Sequence, residues 1–175
     1  MVELKAKSPC AGLLPLTVGD VTLTEIEQGP MWSVSPFQGE EKACVAALKK
    51  AGVAWPDVGA RTENAMWFGL DQAIVFADAL PPIPAALTDQ SDGWAVVRVS
   101  GGVVDVMARL VLVDLRVPAG TVLRTLVGYM TAHITCLEGG SFDVMVMRSM
   151  ARTLVHDLTT AAQALAARGA SGGHI

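Results

Sequence analysis

The sequence contains few charged side chains and few aromatic ones. Only 17% of its residues are Asp, Glu, Lys or Arg, against about 25% in a typical globular chain, and there is a single tyrosine. The formal net charge is −4. A nucleic-acid-binding surface needs a basic stripe with aromatic rings on which bases stack. This composition therefore excludes nucleic acid as the partner of the chain.

Uninterrupted apolar segments of membrane-spanning length are also lacking. About 18 apolar residues in a row are needed to cross a bilayer. Charged residues interrupt the longest apolar region before it reaches that length, namely Asp105, Arg109, Asp114, Arg116 and Arg124. Near the N-terminus, Glu3, Lys5 and Lys7 break up the hydrophobic core that a secretory signal requires. We therefore expect no membrane association and a cytoplasmic location.

Reactive groups with useful spacing are scarce. The cysteines Cys10, Cys44 and Cys136 form no CxxC pair, and their odd number is typical of reduced thiols, with Cys44 and Cys136 as core residues. His133 and Cys136 lie an odd number of residues apart on a predicted strand, so they face opposite sides. His156 stands by itself on a predicted helix. We predict no metal site, no cofactor-binding residue and no catalytic residue in this chain.

Two loops have residues that could carry chemistry. Ser100, Gly101 and Gly102 lead from a strand into a helix, but they lack the third glycine of GxGxxG and the lysine of a P-loop. We interpret them as a tight turn whose backbone amides cap the helix. Asp89 and Asp92 place two carboxylates in one loop, and that composition is more typical of a solvated turn than of proton transfer.

Apolar residues are abundant instead. The residues AVILMFWYC make up 51% of the chain, and 17 glycines come in addition. An apolar excess of this kind indicates a surface that is covered by a protein partner. Because aromatic side chains anchor interfaces, the candidate contact residues are Trp32, Trp55, Trp67 and Phe68, each of which could equally lie in the core.

Hydrophobic periodicity predicts an α+β fold. Residues 94–99 alternate as a buried strand does, and residues 103–111 have the three- and four-residue apolar spacing of a helix. Further strands are predicted at residues 20–28, 31–37, 65–68, 72–77, 131–137 and 142–147 and after residue 120, and further helices at residues 40–52, 80–87 and 149–169. Residues 31–87 give strand, helix, strand, strand, helix, and residues 93–168 repeat this order with one further strand, so the fold is predicted to be duplicated.

The length favours one domain with loosely held ends. A chain of 175 residues is long enough for one core and too short for two. We predict an N-terminal arm over residues 1–19, a single α+β domain over residues 20–168, and a flexible tail over residues 169–175 that begins where Gly169 ends the last helix.

A charged side chain, Arg98, interrupts the apolar strand at residues 94–99. A buried charge without a partner is costly, so Arg98 is expected to pair with a carboxylate. Asp143 and Asp114 are both candidates, and the sequence leaves the choice between them open.

Several stretches, taken together, resemble the gamma subunit of heterotetrameric sarcosine oxidase. Residues 67–72 (WFGLDQ) resemble its W-L-G-P-D-E/Q hairpin, residues 89–101 its D-x-S-x-G-x-x-x-x-R-x-S-G segment, residues 113–115 an L-D-L, residues 120–129 G-x-x-x-Q-T-L-L-G-H, and residues 142–149 F-D-L-Y-V-x-R-S. The likeness covers about residues 31–165. The sequence departs from the family where Leu70 and Gly102 replace prolines and where Arg124 and Tyr129 occupy the Gln and His positions.

The resemblance implies a fold similar to the folate-binding domain of the glycine-cleavage aminomethyltransferase. It implies a non-catalytic, structural subunit of a complex that oxidatively demethylates sarcosine to glycine and transfers the one-carbon unit to tetrahydrofolate. The alpha and beta subunits are the expected partners, and FAD, FMN, NAD and tetrahydrofolate are expected on those subunits.

Two other functions stay open at this point. The fold likeness would also suit a stand-alone folate-binding module or one-carbon transferase, for which Asp89 or Asp92 would have to be the acid. The third hypothesis is a sensor that binds a small ligand in the cavity that a folate would occupy, without catalysing a reaction.

Overall fold

The polypeptide forms two antiparallel β-sheets with helices on their outer faces. The computed structural model describes residues 5–171. The strands are β1 (Leu16–Val18), β2 (Val21–Glu25), β3 (Met31–Pro36), β4 (Ala65–Gly69), β5 (Gln72–Phe76), β6 (Ala85–Asp89), β7 (Trp94–Ser100), β8 (Val122–Val127), β9 (Met130–Cys136) and β10 (Phe142–Met147). The helices are α1 (Glu41–Lys50), α2 (Val103–Met107) and α3 (Ala151–Ser171), with short 3-10 turns at Glu138–Gly140 and Arg148–Met150.

The two sheets are stacked face to face. Sheet A has the strand order β1-β2-β7-β10-β9-β8, and sheet B has the order β4-β5-β3-β6. The outer face of sheet A packs on α2 and α3, and the outer face of sheet B packs on α1. The inner faces meet through a third core cluster made of Met31, Met66, Ile74, Val96, Val122 and Met145. Side chains that alternate along one strand therefore belong to different layers.

Sheet A is discontinuous in sequence, whereas sheet B is not. All four strands of sheet B come from residues 31–89, between β2 and β7. Strand β2 nevertheless lies directly beside β7, with Thr24 opposite Arg98. Sheet A is therefore formed by segments that precede and follow residues 31–89 in the sequence, and sheet B is inserted between those segments.

Helix α1 and the strands β4, β5, β9 and β10 confirm the helix and the strands predicted for those segments. Glu41 lies in the first turn of α1 and Lys50 in the last, which suits the helix dipole, and Gly52 follows with φ of +81°. The hairpins β4–β5 and β9–β10 are both present. In the first of them Gly69 pairs with Gln72, so the connection consists of Leu70 and Asp71, one residue fewer than a Gly-Leu-Asp loop, and the register shifts at a bulge between Trp67 and Gly69.

The predicted helical turns at residues 80–87 are wrong. This segment is irregular up to Pro84 and then enters β6, which pairs with β3. Prolines 81, 82 and 84 remove backbone donors and push the residues before them towards extended conformations, so the segment cannot form a helix. The α+β class is confirmed, but the predicted duplication is not, because the first half ends in a strand where the second half ends in α3.

The predicted N-terminal arm is held down on sheet A. Strand β1 lies within it, and Cys10 is fully buried. The carboxylate of Glu25 accepts hydrogen bonds from the Ser8 hydroxyl at 2.6 Å and from the Cys10 amide at 2.9 Å. Arg148 also donates to the carbonyl of Lys7. The arm is therefore part of the fold from about residue 7 onwards.

The last helix runs past Gly169, where it was predicted to end, and reaches Ser171. Glycine lowers helix propensity by about 1 kcal/mol, but it breaks no backbone hydrogen bond by itself. The rest of the predicted tail lies outside the described residues. Within residues 5–171, no helix combines the length and the apolar character needed to cross a membrane.

All three cysteines are free and buried; a core position was predicted for Cys44 and Cys136, and the structure adds Cys10. Burial raises the pKa of each thiol, and for Cys10, where the neighbouring Glu25 adds to the effect, the pKa is raised to about 11. At neutral pH these groups are therefore protonated and poorly nucleophilic.

Candidate functional site

The space between the two sheets contains an ion pair. Asp143 on β10 is 5% exposed and lies opposite Arg98 on β7. The guanidinium of Arg98 donates from Nε to Asp143 Oδ1 at 2.8 Å and from Nη2 to Oδ2 at 2.9 Å. Of the two partners that the sequence left open for Arg98, Asp143 is the one observed. Asp114 pairs instead with Arg116 at the surface, at 2.9 Å.

Alternation along the strands explains why this pair faces sheet B. Val97 and Val99 belong to the core on the helix side, which turns Arg98 to the opposite face. The hydrogen bonds to Asp143 raise the pKa of Arg98. Bidentate contacts between ionised groups are among the strongest in proteins, so this pair ties β7 to β10.

A second arginine, Arg61, lies near this pair. Its Cζ atom is 4.7 Å from the centre of the Phe76 ring, an arrangement typical of a cation–π contact. Burial lowers the pKa of Arg61, and the positive charge of Arg98 lowers it further, whereas Asp143 acts in the opposite direction. The cluster thus contains two guanidinium groups and one carboxylate.

His133 on β9 occupies another part of the same layer. It is 2% exposed, its ring stacks on Phe68 with centres 4.4 Å apart, and Trp94 meets it edge-on at 5.9 Å. Nε2 is 3.0 Å from the carbonyl oxygen of Phe68, and because a carbonyl only accepts, Nε2 carries the proton. Nδ1 is buried without a hydrogen-bond partner among the described residues.

This environment holds His133 neutral. Burial lowers the pKa of His133 most, the hydrogen bond to the Phe68 carbonyl opposes that effect, and the positive charge of Arg124 adds to it. A second proton would have to bind to Nδ1, where none of the described residues offers it a hydrogen-bond acceptor. The imidazole is therefore a structural group of the inter-sheet core at neutral pH, not an acid or base open to a substrate.

We expect the stability of the protein to fall as the pH drops below about 6.5, the ordinary histidine pKa of the unfolded chain. Below that pH the unfolded chain binds a proton that His133 in the folded protein does not bind, because its pKa is lower there. The contribution of His133 to stability is therefore complete above about pH 6.5 and is lost as the pH falls towards the lower pKa of the folded protein. The loss from one such group is at most about 1.4 kcal/mol per pH unit. Urea unfolding measured between pH 5 and 7.5 will show it.

The control for this prediction is the exposed His156. His133→Phe should flatten the dependence of unfolding free energy on pH in that range, whereas His156→Gln should leave it as in the parent chain. An unchanged slope in His133→Phe would contradict the assignment.

The two acids noted in the sequence are exposed, and Asp92 lines an open hollow together with Glu25 and Arg148. Asp89 is exposed and accepts hydrogen bonds from the hydroxyl and amide of Ser91, which lower the pKa of Asp89. Asp92 is exposed as well, 3.8 Å from Arg148. The lowered pKa keeps Asp89 ionised at neutral pH, so Asp89 is not prepared to donate a proton.

The glycine-rich turn before α2 is filled by the chain itself. A Cβ atom at Gly101 would overlap the backbone carbonyl of Asp20, and one at Gly102 would overlap its carboxylate. The space that a phosphate would need beside this turn is thus occupied. Within residues 5–171, no group of three His, Cys, Asp or Glu side chains is placed to hold a metal ion.

The aromatic residues predicted at a partner interface are each half-buried. Trp32 and Trp55 pack against the core under α1, and the Trp32 indole donates to the Ala77 carbonyl at 3.1 Å. Trp67 and Phe68 pack against the inter-sheet core. Their contact with a partner stays a prediction. The most exposed large apolar residues were not among these candidates; they are Leu70, Leu112 and Tyr129, at 91%, 98% and 101% exposure.

Two stacked antiparallel sheets, with helices on their outer faces and an ion pair between them, define an α+β protein. Among the solved structures that it matches is a heterotetrameric sarcosine oxidase from Corynebacterium sp. U-96, in complex with pyrrole 2-carboxylate. The TM-score is 0.77 at 20% sequence identity, and the match covers 92% of this chain and 96% of that chain. Neither a protein-family model nor a curated protein matches the sequence. The chain therefore has the fold of a sarcosine oxidase subunit, as the sequence motifs predicted.

Proposed function

We propose that this chain is a non-catalytic subunit, of the gamma type, in a heterotetrameric sarcosine oxidase. The observation that carries the proposal is the fold match over nearly the whole length of both chains. The family-like motifs support it, because they fall on successive elements of that fold, at the β4–β5 turn, along β7, and at β10.

In this proposal the chemistry belongs to the alpha and beta subunits. Those subunits would hold FAD, FMN, NAD and tetrahydrofolate, demethylate sarcosine to glycine, and pass on the one-carbon unit. The described part of this chain supports a structural role, because Asp89 and Asp92 are exposed and His133 is enclosed between Phe68 and Trp94.

Exposed apolar side chains support a role in assembly. The amide of Gly128 donates to the carbonyl of Leu110 at 2.7 Å, which brings the β8–β9 turn against the segment after α2. The exposed side chains of Tyr129 and Leu112 belong to these two segments. Apolar surface of this kind is stabilised when a partner covers it.

Co-expression with the alpha and beta subunits of a sarcosine oxidase tests the proposal. We expect the chain to elute with them as one species on size exclusion, at the mass of the full assembly, and we expect the assembly to lose integrity when this chain is omitted. Elution of the chain as a separate, stable monomer would contradict the proposal.

A titration separates this function from a stand-alone folate module. Calorimetry of the isolated chain with tetrahydrofolate should give no binding heat if the folate site belongs to partner subunits. Saturable binding to the isolated chain would favour the folate-binding alternative instead.

A further inference from the structure

Arg61 lies at the seam between the sheets, and its backbone is fixed there. Its amide donates to the carbonyl of Gly120 at 2.9 Å, and its neighbour Ala60 forms a β-bridge with Thr121. Its side chain reaches the inner face of sheet B, over the Phe76 ring. The guanidinium is therefore held in place, and partly withdrawn from water, before any ligand arrives.

The charges around Arg61 do not balance. The nearby carboxylate is Asp143, and both of its oxygens already accept hydrogen bonds from Arg98. Within residues 5–171, no acceptor lies in hydrogen-bond range of the Arg61 guanidinium and no carboxylate lies within 4.0 Å of it. A guanidinium has five N–H donors, so this half-buried cation has donors to spare.

Further donors and space are available beside it. Nη1 of Arg98 takes no part in the two bonds to Asp143, and the Arg98 side chain is 41% exposed. Arg61 also lines a hollow of about 340 Å³, together with Thr62, Thr135 and Glu138. Glu138 is negative and exposed, so it opposes an anion at this place.

We propose that Arg61, with the positive charge of Arg98 nearby, binds a small oxyanion, the carboxylate or phosphate group of a small molecule. A planar guanidinium matches such groups through two parallel hydrogen bonds. The guanidinium of Arg61, which makes no ion pair among the described residues, favours an anionic ligand, and the volume of the hollow limits the ligand to a compact one. This site is independent of the proposed assembly role.

Thermal unfolding of the full chain tests the site, with sodium chloride replaced by sodium phosphate or sodium acetate at constant ionic strength and pH 7. At about ten times the dissociation constant, we expect Tm to rise by about 3–6 °C. A rise with phosphate only or with acetate only would identify which oxyanion is bound. No rise with either would overturn the proposal.

Variants separate binding from the general stabilising effect of such salts. Arg61→Gln should lose the rise, Arg61→Lys should keep a smaller one, and Glu138→Gln should enlarge it. Arg116→Gln, which changes an exposed arginine, should behave as the parent chain does. An equal rise in Arg61→Gln would overturn the proposal.

A second measurement does not depend on how well the variants fold. In the parent chain, titration with phosphate or acetate should shift the amide NMR signals of Phe76 and Thr135 in a saturable way, but not the signal of Leu112. Shifts that grow linearly without saturation, or that spread over the whole surface, would contradict a defined site. Either result leaves the co-expression experiment unaffected.

Discussion

Asp143→Asn is expected to lower the free energy of unfolding by about 3 kcal/mol, the lower end of the cost of breaking a buried ion pair. The change keeps the shape of the side chain but removes the negative charge that pairs with Arg98 and offsets the charge of Arg61. The loss stays at the lower end because Arg98 keeps some contact with water. Urea unfolding followed by tryptophan fluorescence at pH 7.5 measures it.

Asp114→Asn is the matched control. Asp114 and Arg116 form the same two-pronged contact, but both side chains are mostly exposed. Exposed pairs are worth about 0–1 kcal/mol, so this variant should unfold within about 1 kcal/mol of the parent chain. Similar losses in the two variants would show that burial between the sheets adds nothing to the pair.

Gly101→Ala should destabilise the protein by about 3–5 kcal/mol. Gly101 joins β7 to the turn before α2, and its φ of +93° is unfavourable for any side chain. An added Cβ atom would also overlap the carbonyl of Asp20 and lie 2.8 Å from its carbon. Backbone atoms cannot swing away as a flexible side chain can, so the β1–β2 turn would have to move.

Gly139→Ala isolates the conformational part of that cost. Gly139 has a comparable φ of +72°, but no atom lies within 4 Å of the position that a Cβ would take. We expect a loss of about 1–2 kcal/mol from the backbone conformation. If the two alanine variants unfolded at the same urea concentration, the close approach to Asp20 would be disproved.

Local patterns in the sequence were sufficient for most of the elements. The acidic start, basic end and following glycine of α1 define its ends, and alternation defines β7. The segment before β6 was misjudged because an apolar run with prolines suits the start of a helix as well as an extended edge strand. Pairing of β6 with β3 decided between them, and such pairing depends on residues some fifty positions away.

The polar residues between the two sheets were harder to predict than the helices and strands. Alternation placed Arg98 on one face of β7, but its partner could be narrowed only to two aspartates, because the register between β7 and β10 is a property of the folded sheet. His133 was weighed only against Cys136, and Phe68 and Trp94 come from distant strands. Arg61 lies in a loop whose sequence gives no sign that it reaches the seam.

The interrupted path of sheet A has a consequence for the newly made chain. As the chain leaves the ribosome, β1 and β2 emerge first, while β7, beside which β2 must lie, follows only after the whole of sheet B. Long-range pairing of this kind is slow, and until β7 has been synthesised the apolar surface of β1 and β2 stays exposed. Sheet B can form early from neighbouring segments, whereas sheet A closes only once the C-terminal half has been synthesised.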